Sequence, residues 1–175
     1  QGAGFAAVGY ARSTGKLGVC LATSGPGATN LITALADAMM DSVPLLAITG
    51  QVPTAAIGSD AFQEVDVLGM SLSCTKHSYM VERAEDLAEI LQEAMHLAQS
   101  GRPGPVLVDI PKDIQMAQVP FKPWLAADEY LPQLDLNQVA IANQLLSEAK
   151  QPVAYVGGGV QAADAQNELM QFLNK

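Results

Sequence analysis

Three stretches of the chain hold residue types that can do chemistry. Ser24-Gly25-Pro26-Gly27-Ala28-Thr29-Asn30 follows a short apolar run. Its glycines would let the backbone approach a flat ligand, and Asn30 offers both a donor and an acceptor. The loop is no Walker sequence, lacking Gly-Lys-Ser/Thr, and no Gly-x-Gly-x-x-Gly fingerprint. A strand-to-helix turn capped by Thr29 or Ser24 is the plainer reading, favoured on these residues alone. Asp60-Ala61-Phe62-Gln63-Glu64 lies in an irregular stretch, 51–69, that is long for a compact domain. Solvation would explain its polarity, but Phe62 among acids and an amide asks for a pocket or a partner. Lys112 stands just beyond the apolar run Val106 to Ile110 and Pro111. Most lysines are solvated, yet one fixed at a strand's carboxyl end can meet a carboxylate.

Two weaker signals stand apart. Arg102 sits among Gly101, Pro103 and Gly104. Its planar fork suits a phosphate or a ring face, with a solvated arginine as the default. Gly157-Gly158-Gly159 after Val156 is like the nucleotide-binding turn of other α/β folds, a weak indication alone. His77 and His96 have no partnered Asp, Ser or Cys at telling spacing and read as structural.

The elements that must position these residues follow from periodicity. Gly2 to Arg12 has small residues at helical spacing and many glycines, so it persists as a helix only if tightly packed. It has no cap, as though the chain began inside an element. Strands are expected at Val19 to Ala22, Pro44 to Thr49, Lys76 to Val81 and Pro105 to Ile110, and helices at Ala28 to Asp41 and Glu85 to Gln99. Apolar strands separated by helices predict an open parallel sheet with helices on both faces. Ligands of such sheets bind beyond the strands' carboxyl ends, where the loops at 23–30, 50–64, 111–113 and 157–159 fall. Pro120, Pro123 and Pro132 mark 119–136 as a linker. It separates a first domain, 1–118, from the start of a second α/β domain, 137–175, with a helix at Asn137 to Ala149, a strand at Pro152 to Val156, a tight turn at the three glycines and a helix at Ala162 to Leu173.

Composition narrows the function classes. Charged residues make up 15% of the chain, against about 25% in ordinary soluble domains, which predicts surface covered by another part of a larger protein. With 18 acids, 9 bases and a net charge of −9, the chain offers no basic face for nucleic acid. No apolar run reaches the roughly 18 residues of a membrane span. The chain begins at Gln1 with no basic-then-apolar leader, giving no sign of secretion. Cys20 and Cys74 lack metal-ligand spacing and fit free thiols in a reducing cytoplasm.

Taken together, Ser24 to Asn30, Gly50-Gln51-Val52-Pro53, Asp60 to Glu64, Ser100 to Pro105 and Asp109-Ile110-Pro111-Lys112-Asp113 resemble the acetohydroxyacid synthase (acetolactate synthase) catalytic subunits, most nearly the bacterial type II form. The resemblance covers nearly the whole chain. It implies the later part of a thiamine-diphosphate pyrimidine-binding domain, a linker, and the start of a FAD-binding domain. The family's catalytic glutamate would stand immediately before Gln1, and the Mg2+ ligands would lie outside these residues. By matching position, Pro26, Asn30 and Gln63 would contact thiamine diphosphate, Phe62 and Lys112 would shape the substrate site, and Arg102 with Gly157, Gly158 and Gly159 would touch FAD.

The implied reaction condenses pyruvate with pyruvate or 2-ketobutyrate, releasing CO2, to give 2-acetolactate or 2-aceto-2-hydroxybutyrate for branched-chain amino acids. A dimer-based homo-oligomer and a small regulatory subunit are implied as partners. Another FAD-containing thiamine enzyme, of the pyruvate oxidase or glyoxylate carboligase type, is the runner-up. In isolation the chain is expected to be inactive, a dimerisation module contributing half of a cofactor site.

Overall fold

The computed structural model describes residues 1–120 and 134–174. The chain divides into two compact units, Gln1–Ala127 and Asp128–Lys175. In the first, strands β1 (Gly18–Ala22), β2 (Leu45–Gln51), β3 (His77–Met80) and β4 (Pro105–Pro111) form one parallel sheet in the order β1-β2-β4-β3. β4 is buried at every position and β2 at most, as expected of strands covered on both faces.

Alternation divides the apolar side chains between two clusters. Leu45, Ala47 and Leu107 pack with Ala7, Val8, Ala11, Leu31 and Leu35 from α1 (Gly2–Thr14) and the 26–40 region. Leu46, Val106, Val108 and Ile110 pack with Ala94 and Ala98 on the other face. Those alanines belong to α5 (Leu87–Gln99) and are fully buried, so the helix lies close against the sheet. Its end is fixed by Lys76, whose ammonium donates to the carbonyls of Leu97 and Ser100. The α/β architecture with helices on both faces is therefore present in this unit.

The glycine-rich α1 persists because one glycine is needed. A Cβ on Gly4 would stand 2.6 Å from the Ala34 Cβ of α3 (Ile32–Met40), so the two helices meet through the missing side chain. Gly15, at φ 69°, closes α1, its N–H donating to Ala11. Among the described residues, Phe5 and Tyr10 of α1 and Val19 and Leu21 of the edge strand β1 are exposed.

Several boundaries differ from expectation. The helix expected over Ala28 to Asp41 is two, α2 (Pro26–Thr29) and α3. Asn30 Nδ2 donates to the Pro26 carbonyl, a side-chain bond that competes with the helical ladder at the break. The 51–69 stretch holds a 3₁₀ turn at Thr54–Ala56 and the start of α4 (Val67–Ser71), which Asp66 caps by accepting from Gly69 N–H at 2.9 Å. α6 (Lys112–Met116) follows β4 directly. Most of the expected linker falls at 121–133, outside the described residues.

The second unit is helical among its described residues: α7 (Leu136–Glu148), α8 (Gly159–Ala162) and α9 (Gln166–Leu173). Asp135 caps α7, accepting from Asn137 and Gln138 N–H. The strand expected at Pro152 to Val156 does not form. A strand needs a neighbour for its backbone groups, and Val153 and Tyr155 stand exposed instead. The helix expected over Ala162 to Leu173 is interrupted at Asp164, whose φ is 51°.

Candidate functional site

Beyond the carboxyl ends of β1, β2 and β4 lies a groove of about 360 Å3, lined by Thr23, Ser24, Gly50, Gln51, Lys112 and Gln115 among others. Three loops converge there because parallel strands deliver their chain exits to one edge of the sheet. A larger hollow, about 640 Å3, runs along the outer edge of β1 between Ala3, Ala6, Tyr10, Val19 and Leu21. Its lining is mostly apolar, with no carboxylate, amide or amine.

The first loop turns at Gly25, φ 58° and ψ −117°, a backbone conformation that requires glycine. Space requires it as well, since a Cβ there would stand 2.7 Å from the Gln63 carbonyl oxygen and 2.9 Å from its Cα. The glycine-proline loop therefore rests directly on the backbone of Gln63. Pro26 opens α2, where its missing N–H costs nothing. Neither Ser24 nor Thr29 caps that helix: the cap position is Gly25, with no side-chain bond. Thr29 Oγ1 instead donates back to the Pro26 carbonyl at 3.2 Å.

Gln63 itself has φ 63°. A non-glycine residue held there stores about 1–3 kcal/mol, and such strain persists only where the surroundings impose it. Those surroundings are visible. The Glu64 carboxylate accepts from the N–H groups of Gly58 and Ala61, closing the loop on itself. The Gly58 N–H, then that of Ala61, holds this carboxyl below its ordinary range. Asp113 at the start of α6 accepts from Thr54 N–H at 3.0 Å and from Thr54 Oγ1 at 2.5 Å. The Thr54 hydroxyl, then its N–H, lowers the Asp113 pKa.

Beneath the groove lies a buried polar cluster. Thr49 and Asp109 face each other across β2 and β4, and Thr49 Oγ1 donates to Asp109 Oδ1 at 2.6 Å. Gln51 Nε2 donates both to Asp109 Oδ2 and to the Val65 carbonyl, each at 3.0 Å. Its Oε1 accepts from Val52 N–H at 2.8 Å. Asp109 is wholly inaccessible, and burial pushes its carboxyl up to about 6 despite the two donors.

The residues singled out in the sequence separate by location. Pro26, Asn30, Gln63 and Lys112 all belong to chain exits at the carboxyl edge and are exposed, but of the four only Lys112 lines the groove itself. Phe62 is 89% exposed, so the aromatic finds no pocket among the described residues of this chain. Arg102 lies at the opposite, amino edge. Its guanidinium donates to Ser42 Oγ at 2.7 Å and to the carbonyls of Met39 and Met40 at the end of α3. Gly157, Gly158 and Gly159 belong to the second unit; none has a left-handed φ, and a Cβ on any would meet nothing within 4 Å. His77 packs edge-on against Tyr79. Both cysteines are free and buried, and among the described residues no three His, Cys, Asp or Glu gather as metal ligands do.

From the sequence, Gly25 is expected only to let the backbone approach a ligand, and Gln51, Asp109 and Asp113 carry no assigned role. A signal was present for two of them: Gln51 and Asp109 are polar residues within or closing largely apolar strands, and buried polar groups require partners.

Among the described residues the groove is lined by the glycine backbone at Gly50, by the cation Lys112, and by the amides of Gln51 and Gln115, whose nitrogens donate within the chain to Val65, Asp109 and Ile110. Residues 1–70 match the family described as thiamine pyrophosphate enzyme, N-terminal TPP binding domain. The chain is 60% identical over 99% of its length to the acetolactate synthase isozyme 2 large subunit of Escherichia coli (strain K12), covering 32% of that relative. It is 55% identical over 98% of its length to the acetolactate synthase large subunit of Corynebacterium glutamicum, covering 28%, and 56% identical over 98% to the acetolactate synthase of Arthrospira platensis, covering 31%. The chain thus spans about three tenths of the relatives it matches. Along nearly every residue, then, the chain is similar to a stretch of acetolactate synthase large subunits, and its first 70 residues match the thiamine-pyrophosphate-binding domain.

Proposed function

We propose that these residues form part of a longer acetolactate synthase large subunit, in which the carboxyl-edge groove receives the aminopyrimidine ring of thiamine diphosphate. The observation that carries this reading is the Gly25–Gln63 contact, which joins the two loops singled out for the cofactor. When bound, thiamine diphosphate supplies the electron sink for decarboxylation and carbon–carbon bond formation. The chain's own residues orient and exclude. Gln63 offers a hydrogen-bond donor without a titrating charge, and Pro26 and Asn30 frame the ring. Lys112 neutralises a ketoacid carboxylate at the groove. Phe62, exposed here, is read as closing the substrate side once the rest of the subunit is present.

The same reading assigns 2-acetolactate or 2-aceto-2-hydroxybutyrate as product, formed from pyruvate with pyruvate or 2-ketobutyrate. Mg2+ would be held by residues outside this chain. FAD would be touched by the glycine turn at 157–159, where the absence of side chains permits close approach, and by Arg102. The reading divides the chain into a thiamine-binding part at 1–118, a linker at 119–136 and the start of the FAD-binding domain at 137–175. A cytoplasmic, dimer-based oligomer with a regulatory subunit completes it, and the exposed apolar residues of α1 and β1 support coverage by another surface. Alone, the 175 residues are expected to show no turnover.

The test is product analysis. The full-length subunit, given pyruvate with and without 2-ketobutyrate, should yield both acetohydroxyacids by mass spectrometry, in a reaction dependent on thiamine diphosphate and Mg2+. Oxygen consumption with an oxidised product, or an aldehyde product from glyoxylate, would replace this reading with one of the related thiamine enzymes.

A further inference from the structure

We infer that Gln51 is a positioning residue: its buried amide ties the loop bearing Gln63 to the central strand of the sheet through Asp109. The inference rests on the proposed thiamine site and extends it to a residue that does not touch the loop's working side chains.

The geometry is specific. Gln51 is the last residue of β2 and is 5% exposed. One amide nitrogen serves two acceptors, Asp109 Oδ2 on β4 and the carbonyl of Val65, two residues beyond Gln63, while the amide oxygen takes the Val52 N–H. All of its hydrogen-bonding capacity visible here joins the two ends of one loop, 52–65, to one buried carboxylate. Asp109 fixes the amide's orientation because a carboxylate accepts and cannot donate, which directs Nε2 toward it and Oε1 toward Val52. Thr49 holds the other carboxylate oxygen. The left-handed backbone of Gln63 is therefore imposed from two sides, by Gly25 above and by the Val65 anchor behind. Glu64 and Asp113 organise the loop's outer part, at Gly58, Ala61 and Thr54; the Val65 anchor is a separate restraint at its return.

Gln51→Met keeps the length and apolar volume and removes both amide functions. In the full-length subunit it should raise the thiamine diphosphate concentration at half-saturation about 10-fold. The ketoacid KM should stay within about twofold, and hydrogen exchange across 61–66 should accelerate. Gln51→Asn retains an amide too short to bridge both acceptors and should shift in the same direction by less, which keeps the test decisive if the methionine variant folds poorly. Val43→Ala, in the core at the amino end of β2, serves as the stability control. If Gln51→Met shifts thiamine saturation no more than Val43→Ala at an equal loss of melting temperature, or leaves exchange at 61–66 unchanged, the positioning role is overturned. Gln63→Ala is measured in parallel. Should it leave thiamine binding unchanged, the site reading fails, while the exchange data still decide the Gln51 anchor.

Discussion

The family resemblance implies cofactor contacts at both Gln63 and Gly157–Gly159, yet their surroundings are unlike. Gln63 is held in a strained backbone by Gly25, Glu64 and the Gln51–Val65 bond. The glycine turn has unstrained φ values and empty space where each Cβ would be. The first region is organised by its own chain before any ligand arrives. Among the described residues the second is held only by local bonds, its carbonyls accepting from the N–H groups of Val160, Ala162 and Ala163. Preorganised groups stabilise charge or orient a ring at little reorganisation cost, so substitutions in the first region should act on rate and affinity, and those in the second on ligand retention alone.

The largest expected effect is at Gly25. In the full-length subunit, Gly25→Val should abolish measurable thiamine diphosphate binding and lower turnover at least about 10²-fold. A β-branched residue at φ 58° is strained, and its Cβ would collide with the Gln63 backbone. Calorimetric titration with the cofactor and Mg2+ checks this; near-wild-type affinity would break the contrast between the two regions. Gly157→Ala, by comparison, should leave thiamine binding unchanged and reduce only flavin content.

Lys112 and Arg102 sharpen the comparison within the first unit. Lys112→Ala should raise the ketoacid KM about 10-fold or more with flavin content intact. Arg102→Ala should leave that KM near wild type, lower flavin content, and reduce the melting temperature slightly, because three hydrogen-bond acceptors at the end of α3 lose their donor. Steady-state kinetics and the flavin absorbance of purified protein separate the two.

A smaller effect concerns pH. Asp109 is raised from 3.8 to about 6 in the fold by burial. Between those values the folded state binds more protons than the unfolded, so this residue's contribution to stability falls as pH rises from about 4 through about 6 and is level above. Glu64 and Asp113, both lowered, act with the opposite sign, contributing stability above the ordinary carboxylate range that is lost as pH falls. The measurement is therefore a difference: urea midpoints of wild type minus Asp109→Asn between pH 4 and 7.5. That difference should decline with pH, and a flat difference would place the Asp109 pKa near its unfolded value.

Much of the first unit was legible because burial on both faces writes itself as apolar runs. Leu45 to Ile48 and Val106 to Val108 are such runs, and Ala94 and Ala98 mark the helix face that meets them. The Pro152 to Val156 run misled for the same reason: it has strand composition, but pairing is a property of neighbours and not of the run. The single helix expected over Ala28 to Asp41 missed the Asn30 side chain, whose bond to Pro26 is local yet not periodic. At the candidate site, the spacing of Gly25, Gln63 and Lys112 along the chain gave no hint that two of the loops touch. That contact depends on parallel strands delivering distant exits to one edge. Gln51 and Asp109 were present in stretches already noted, but only the folded sheet, which sets Asp109 opposite Thr49 and within reach of the Gln51 amide, reveals their bond.

Thiamine diphosphate binding by Gln63→Ala in the full-length subunit tests the central claim most directly. Loss of the Gln63 donor from the loop that Gly25 rests on should weaken cofactor binding and lower turnover about 10²- to 10³-fold, with melting temperature and flavin content close to wild type. Unchanged affinity and turnover in a folded Gln63→Ala protein would return the loop to an ordinary surface turn and contradict the assignment of this edge of the sheet to thiamine diphosphate.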